Sequence, residues 1–440
     1  MDTPQYRPRG RQTRPRHHDP RHGNHNHGRH IPGPARNAPD PQHHHRQREH
    51  VPDHPQRMEM TRMDPIILKA YNGLTGTYLG RLPYTTLSGQ DSISDEGSMN
   101  AAIPDCKQLR LIPDLDPYLH DWGTIYAAHM GARILHAGYL TSHSLNDTRD
   151  ELTLTIGGGF TILNKRKVLN VKLRDSWKDG YVLIDEDHPP GEWVLNAKGS
   201  YSDLIRSLLM ETMKWGPLPY DLPDIEGGAT HERTWNGWEF PSVWDEISDI
   251  ADLEDGPEIR LDPRADYNNR IRFRLRVGTP ELIDRTWRWN RLAPGQRIML
   301  AGTDCDGGSL TCQHYMIGGK TDDKTLVAKA DGTALLDNGW PLLQTADSSH
   351  STISQLPTLQ SHARAAIATG DADQSTHGLQ AGLEHDVHVG DHIILRVTHE
   401  KPSAQERDLL LDPTIELKTT DVKWNASSEW QTIQTRPTEE

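Results

Sequence analysis

The sequence predicts a mainly β protein with an α+β insertion. From residue 66 onward, short alternating segments separated by turn residues recur, which is typical of a barrel or sandwich. A helix, a Trp-rich loop, a second helix and a long strand interrupt this pattern over residues 200–277. We therefore divide the chain into a disordered tail (1–62), a β-barrel-like domain (63–165), an α+β insertion domain (166–290) and a C-terminal β-rich domain (291–440).

Composition limits the classes of partner. A chain of 440 residues is long enough for two or three domains, each with its own core. Its hydrophobic fraction is only 34% and its net charge is -14, although residues 1–62 are basic. The remainder is therefore more acidic than the total indicates. Because phosphate contacts need Lys and Arg, we predict no specific nucleic-acid binding.

The sequence contains no recognisable membrane or export signal. No apolar run approaches the roughly 20 residues of a membrane span. The N-terminus lacks an apolar core segment, which predicts no signal peptide. Three cysteines (Cys106, Cys305 and Cys312) cannot all pair within one chain. These features favour synthesis in a reducing cytoplasm.

Residues 1–62 are rich in Arg, His, Pro, Gly, Asn and Gln, and we predict that they are disordered because they have almost no apolar surface to bury. Their His clusters have no fixed metal-ligand spacing, so biased composition is favoured over a divalent metal site. Met58, Met60 and Met63 stand just before the first folded-type sequence. Our hypothesis is that the upstream stretch is a mis-called start.

Short strands are predicted in the first domain. Residues 66–70 and 77–82 flank Asn72-Gly73, a hairpin turn signal. Further strands are predicted at 98–103, 124–129, 133–141 and 151–156, with turns at 130–132 and 144–147. Residues 157–160 end this run, and a short helix is predicted at 161–168.

The insertion begins with a capped helix. Ser200 stands three residues before Asp203, a weaker form of the capping box, and a buried face follows at Leu204, Ile205, Leu208 and Leu209. A second helix opens at 241–244 and stops at Gly256-Pro257. Residues 270–277 alternate Arg with apolar residues, as in a half-buried antiparallel strand.

In the last third, strands are predicted at 297–302, 315–319 and 325–330, and a turn at 387–391 leads into another strand. A closing hairpin is predicted from 416–424 and 430–435. A helix is predicted at 354–368, with candidate buried positions Leu356, Leu359, Ala363, Ala366 and Ile367.

Three segments carry residues that resemble a phosphate, calcium or zinc site. Gly157-Gly158-Gly159 follows a strand but lacks the Gly-Lys-Ser/Thr ending of a phosphate loop, so a flexible turn is favoured. Residues 304–309 resemble a calcium loop without its closing Glu, and a polar hairpin is favoured. Cys305, Cys312 and His314 offer three zinc ligands at a non-standard spacing.

Catalytic patterns have little support. His385 and His388 flank Asp386 and are predicted to be exposed surface histidines. Acidic clusters at 185–187 and 254–255 are predicted in solvated loops. Neither a Gly-x-Ser-x-Gly elbow nor a Cys–His hydrolase pattern is present. We predict no catalytic residue, no cofactor and no metal, and hence no enzyme.

Tryptophan is concentrated in one part of the chain. Exposed Trp stacks on sugars or anchors interfaces, whereas buried Trp here would bridge the insertion and the barrel. We favour the buried interpretation. The residues are Trp235, Trp238, Trp244, Trp287 and Trp289.

Taken together, the chain resembles the minor tail proteins of tailed phages that infect actinobacteria, in the tail-hub family. The order and spacing of the motifs carry this resemblance, over about 64–289 and again from 387. Two regions depart from the pattern: the His-rich residues 1–62, and about 291–380, which match poorly. The similar motifs are LKAYNGLTGTYLGRLPYTTL (68–87), RILHAGYL (133–140), GGGF (157–160), SDLIRSL (202–208), the helix after HERTW (231–250), the strand at 271–278 and the VKW hairpin (422–424).

The resemblance implies tail-hub-like β-barrel domains and a non-enzymatic part of the virion, at a tail tip or baseplate. Such a hub joins the tail tube to the host-attachment apparatus as a closed ring, often a trimer, with other tail proteins as partners. An acidic body would suit a lumen that DNA crosses without binding. The alternative is a receptor- or carbohydrate-binding tail protein in which Trp287 or Trp289 stacks on cell-wall sugar. A peptidoglycan hydrolase is a third, weaker interpretation, because it lacks a catalytic constellation.

Overall fold

A computed structural model describes most of the chain after residue 63. The predicted disorder of residues 1–62, their His clusters, the Met58 to Met63 start and Cys106 lie outside the described residues. The described ranges are 64–105, 107–146, 150–177, 180–185, 190–225, 227–278, 281–305, 307–321, 323–351, 353–371, 375–396 and 414–438.

Seven antiparallel strands form the first part, in the order β2-β1-β5-β6-β7-β4-β3. The predicted strands and the hairpin around Asn72-Gly73 are confirmed. The turn predicted at 144–147 is wrong, because residues 144–146 continue β6 and pair with β7. The strands are β1 (Ile66–Asn72), β2 (Tyr78–Leu82), β3 (Thr86–Ser92), β4 (Ser98–Pro104), β5 (Thr124–Met130), β6 (Arg133–Asn146) and β7 (Glu151–Gly157), with a short helix α1 (Lys107–Arg110) after β4.

The insertion is built on two capped helices. The Ser200 side chain accepts from the Asp203 N–H and the Asp203 carboxylate accepts from the Ser200 N–H, so the predicted capping box is confirmed. At the N-terminus of the second helix, the Ser242 side chain accepts from the Asp245 N–H. The elements are β8 (Val194–Gly199), α2 (Tyr201–Trp215), β9 (Tyr220–Asp221), β10 (His231–Asn236), α3 (Val243–Ala251), β11 (Ile259–Ala265) and β12 (Ile271–Val277). The short helix predicted at 161–168 is a 3-10 helix over Gly159–Lys165.

The last third follows the predicted strands and helix. Leu359 and Ala363 are buried as predicted, whereas Leu356 is 43% exposed because it occupies the first turn of its helix. The elements are β13 (Thr286–Asn290), β14 (Ile298–Cys305), β15 (Gln313–Thr321), β16 (Lys324–Asp331), α4 (Ala334–Asp337), β17 (Gln344–Asp347), α5 (Leu356–Gly370), β18 (Ser375–Gly382), β19 (His392–Arg396), β20 (Thr414–Asn425) and β21 (Trp430–Pro437).

One strand, β20, joins the two ends of the chain into a single 13-stranded sheet. Its first half pairs with β19 and its second half with β3, while β21 lies along its other edge. Among the described residues, β2, β13 and β14 each have only one partner strand and so form the sheet's edges. The domain boundaries given above stay a prediction.

Four hydrophobic clusters lie against this framework. The largest joins β1 and β5 to the insertion, and it includes Tyr71, Phe160, Leu208, Trp235 and Phe273. A second lies under the first seven strands, a third under β19 to β21, and a small one between α5 and the β15–β16 hairpin. No described helix has the length and apolar composition of a membrane span.

Candidate functional site

The three glycines at the end of β7, Gly157 to Gly159, form a packing site. They form neither a phosphate loop nor a flexible turn. A Cβ on Gly158 would lie 1.6 Å from the Glu96 carbonyl oxygen, and one on Gly159 would lie 2.8 Å from Phe273. Gly158 and Gly159 are buried, and Gly157 is half-buried. The predicted flexible turn is therefore wrong, and no open cradle for phosphate exists there. Small residues are needed because two backbones meet.

Two of the three side chains that could act as zinc ligands, Cys312 and His314, have contacts of their own. Cys312 is fully buried with its sulfur 3.8 Å from the Pro341 carbonyl oxygen. His314 Nδ1 lies 2.8 Å from the Thr345 hydroxyl. Cys305 ends β14, and Asp306 lies outside the described residues. The polar hairpin predicted at 304–309 is wrong, because the flanking strands β14 and β15 belong to different sheets.

The histidines flanking Asp386 are half-buried, which corrects the prediction that they are exposed. His385 packs edge-on against Trp289, with ring centroids 5.3 Å apart. His388 Nε2 lies 3.1 Å from Asp386 Oδ1, and Arg133 Nε lies 2.5 Å from the same oxygen. The His388 hydrogen bond, opposed by burial, and the nearby Arg133 charge hold the pKa of Asp386 well below its usual value. This cluster ties β6 to the loop before β19.

A second ionic network joins the insertion to the C-terminal strands. Lys418 on β20 is 1% exposed, and its Nζ lies 2.5 Å from Glu258 Oε2 and 2.9 Å from Glu281 Oε2. Arg436 on β21 reaches the other oxygen of Glu258 at 3.1 Å. Arg260 on β11 donates to the Val389 carbonyl oxygen at 2.6 Å and so also links the insertion to the segment before β19. No local pattern in the sequence marks these partners, since they are more than 100 residues apart.

Of the two acidic clusters, the structure fully describes the one at 254–255. Glu254 is bound by the Arg364 guanidinium, and Asp255 takes a left-handed backbone conformation beyond the end of α3. Of the other cluster, Glu186 and Asp187 lie outside the described residues.

Four of the five tryptophans belong to two separate hydrophobic clusters, and Trp238 is half-buried on a 3-10 helix, Gly237–Glu239. Trp235 is 3% exposed and packs with Trp244 in the largest hydrophobic cluster. Trp289 is 4% exposed and Trp287 is half-buried, and both pack in the cluster under β19 to β21. Trp287 Nε1 donates to Asp391 Oδ2 at 2.8 Å. These residues serve mainly as core, and they do not form one patch.

A shallow groove and the sheet edges are the remaining surfaces of interest. The groove, of about 420 Å³, lies across β3, β4, β20 and β21 and has neither a carboxylate nor a histidine in its lining. On edge strand β14, Met299 is 46% exposed, and on edge strand β2, Tyr78 is 40% exposed. Edge strands present unpaired backbone N–H and C=O groups and so can pair with another chain.

Comparisons with known proteins give structural similarity alone. No family model and no curated protein matches the chain. The tail protein from Neisseria meningitidis MC58 is similar at 12% identity and TM-score 0.44, covering 84% of this chain and 96% of that one. The 43 kDa tail protein of prophage MuSo2 from Shewanella oneidensis is similar at 9% identity and TM-score 0.46, covering 84% and 98%.

Prophage tail protein gp18 from Listeria monocytogenes is similar at 8% identity and TM-score 0.43, covering 86% of this chain and 95% of that one. Identities and TM-scores this low do not assign the chain to a family. The three solved structures are tail proteins, two of them from prophages, and the chain is similar to them in outline.

Proposed function

We propose that this chain is a structural component of a phage tail tip, a hub-type minor tail protein that joins the tail tube to the host-attachment apparatus of a phage infecting actinobacteria. The motifs that resemble the tail-hub family support this function. The observation that carries it is the single 13-stranded sheet, built from both ends of the chain and open at β2 and β14.

A sheet with an edge strand at each end of its strand order can join with copies of itself to form a ring. Each protomer offers unpaired backbone groups on β14 and on β2, which lie at opposite ends of the strand order. When β14 of one protomer meets β2 of the next, closure with cyclic symmetry covers both of these edges, and β13 keeps its own edge. We propose a trimeric ring, with other tail proteins bound above and below it in the virion.

The charged networks support a role as a rigid structural subunit. Asp386 links β6 to the loop before β19, and Lys418 links β20 to residues beside β11. Both connect segments distant in sequence, so the two ends of the chain and the insertion resist movement relative to one another. A subunit of such a ring needs this rigidity, because movement between its segments would break the contacts between neighbouring protomers.

Carbohydrate recognition by Trp287 or Trp289 has less support. A sugar must reach an exposed ring face, and Trp289 is only 4% exposed while Trp287 is tied to Asp391 through Nε1.

The test is the mass of the full-length chain in solution, by light scattering coupled to size exclusion, with negative-stain electron microscopy of the same fraction. A trimer with an axial channel is the expected result. Met299→Lys places a charge on edge strand β14 and should shift the mass toward the monomer, whereas Leu111→Lys, at a 79% exposed position away from the sheet, should leave it unchanged. A monomer across the accessible concentrations, or equal behaviour of the two variants, would overturn ring closure through this edge.

A further inference from the structure

Three side chains from separate elements meet at one point between the insertion and the C-terminal third. Asp249 comes from α3, His350 from the turn after β17, and His362 from α5. Their ligand atoms all lie within 4.8 Å of one another. The two imidazole rings stack, with centroids 4.1 Å apart and planes at 26°.

Both histidines converge on the same carboxylate oxygen. His350 Nδ1 and His362 Nε2 each lie 3.3 Å from Asp249 Oδ1. A charge-assisted hydrogen bond would be shorter, at about 2.7–2.9 Å. By contrast, two ligands bound tetrahedrally to one metal ion at 2.0–2.1 Å stand about 3.3 Å apart. The spacing therefore fits the edge of a tetrahedral coordination shell better than it fits an ion pair.

One nitrogen in the cluster is left without a hydrogen-bond partner. The His362 side chain is 2% exposed, and its buried Nε2 has no such partner among the described residues. A buried polar atom without a partner costs free energy, so its position calls for a ligand. That nitrogen points at the space shared with Asp249 and His350.

The surroundings prepare the carboxylate for coordination. Arg233 Nη1 donates to Asp249 Oδ2 at 3.1 Å, which orients the carboxylate and leaves Oδ1 to the histidines. The cluster opens onto a groove of about 390 Å³ that Asp252, Asp347 and Met316 help to line. Water can therefore reach a fourth coordination position on an ion held by these three residues.

We propose that Asp249, His350 and His362 bind a divalent transition-metal ion of the Zn²⁺ class, with solvent as a further ligand. Two imidazoles and a carboxylate are a donor set that suits such ions. The ion holds α3 against α5 and thereby joins the insertion to the small β15–β16–β17 sheet. The sequence predicted no metal here because 101 residues separate Asp249 from His350.

The test uses the full chain, stripped with a chelator and then titrated with Zn²⁺ while thermal unfolding is followed. Metal bound only by the folded state stabilises it, and at about 100 times Kd the gain is about 2.7 kcal/mol, enough to raise the Tm by several degrees. His350→Ala and His362→Gln should abolish the rise. The histidines of residues 1–62 are identical in all variants, so any ion they bind cancels in the comparison.

His143→Ala is the matched control, because His143 pairs with Asp121 at 2.8 Å and this pair belongs to no three-ligand cluster among the described residues. It should keep the full Zn²⁺-dependent rise. If the buried His362→Gln variant does not fold, the Zn²⁺-dependent Tm rise of His350→Ala is compared with that of the wild type. His350 is 20% exposed, so its replacement disturbs the core less. Visible absorption of Co²⁺-loaded protein should show four-coordinate bands that His350→Ala removes. No Tm rise in the wild type, or an equal rise in His350→Ala, would leave a simple ion cluster and overturn the proposal.

Discussion

Replacing Lys418 by Met should destabilise the fold strongly, although the new side chain keeps most of the buried volume. The lysine stem is 1% exposed on β20, and its ammonium faces Glu258 and Glu281 at 2.5 and 2.9 Å. Without it, Glu258, which is only 14% exposed, keeps Arg436 as its charged partner and the Leu282 backbone N–H as a hydrogen-bond donor. Breaking a buried pair costs about 3–5 kcal/mol, and we expect the lower end because Arg436 remains.

The exposed Lys423 on the same strand gives a matched control. Lys423→Met should change the free energy of unfolding by no more than about 0.5 kcal/mol, since it alters charge without leaving a buried partner. The double variant Lys418→Met/Glu258→Gln should recover much of the loss, because it removes the stranded carboxylate as well. Urea unfolding followed by Trp fluorescence measures all four proteins. Equal losses in Lys418→Met and Lys423→Met would refute the role of the buried network.

The contribution of the Lys418 network to the free energy of unfolding should depend on pH. Burial acts to raise the pKa of Glu281, but the Lys418 side chain outweighs it and the folded-state pKa is lowered. Such a group contributes stability above its unfolded pKa and loses it as pH falls through the folded value. The difference between wild type and Lys418→Met should therefore shrink below about pH 4.5, the ordinary value for Glu.

Two further changes test packing inside the protein, one in the insertion and one in the first domain. Burial raises the pKa of Glu246 to about 7, and the Trp235 indole N–H donates to it at 2.7 Å. Because the unfolded state loses this proton first, wild type should lose up to about 3 kcal/mol of stability between about pH 4.5 and 7. Glu246→Gln should not show that loss, so parallel Tm–pH profiles would contradict this account. Gly158→Ala should prevent folding or lower the Tm sharply, because its Cβ would collide with the Glu96 carbonyl oxygen, whereas Gly191→Ala, with nothing within 4 Å, should have little effect. A soluble Gly158→Ala protein with an unchanged Tm would show that the two backbones can separate.

Local signals in the sequence were sufficient for most elements. The Ser200–Asp203 cap, the alternation of Arg with Ile271, Phe273 and Leu275, and the turn at Asn72-Gly73 each depend on neighbours within a few residues. β3 was missed because Leu87 is its only buried residue, and the rest of the strand is small or polar. Its backbone hydrogen bonds to β4 and β20 stabilise the strand, although its residues have low β-propensity.

The sequence by itself therefore determined the fold class, the capped helices and most strands, because hydrophobic periodicity and capping are short-range properties. Tertiary structure alone decided that β20 closes one sheet from both ends of the chain, and that Gly158 is a packing contact. It also decided that Asp249, His350 and His362 meet, and that Lys418 finds Glu258. Contacts between residues 100 or more positions apart leave no periodic trace, since they depend on how whole elements pack.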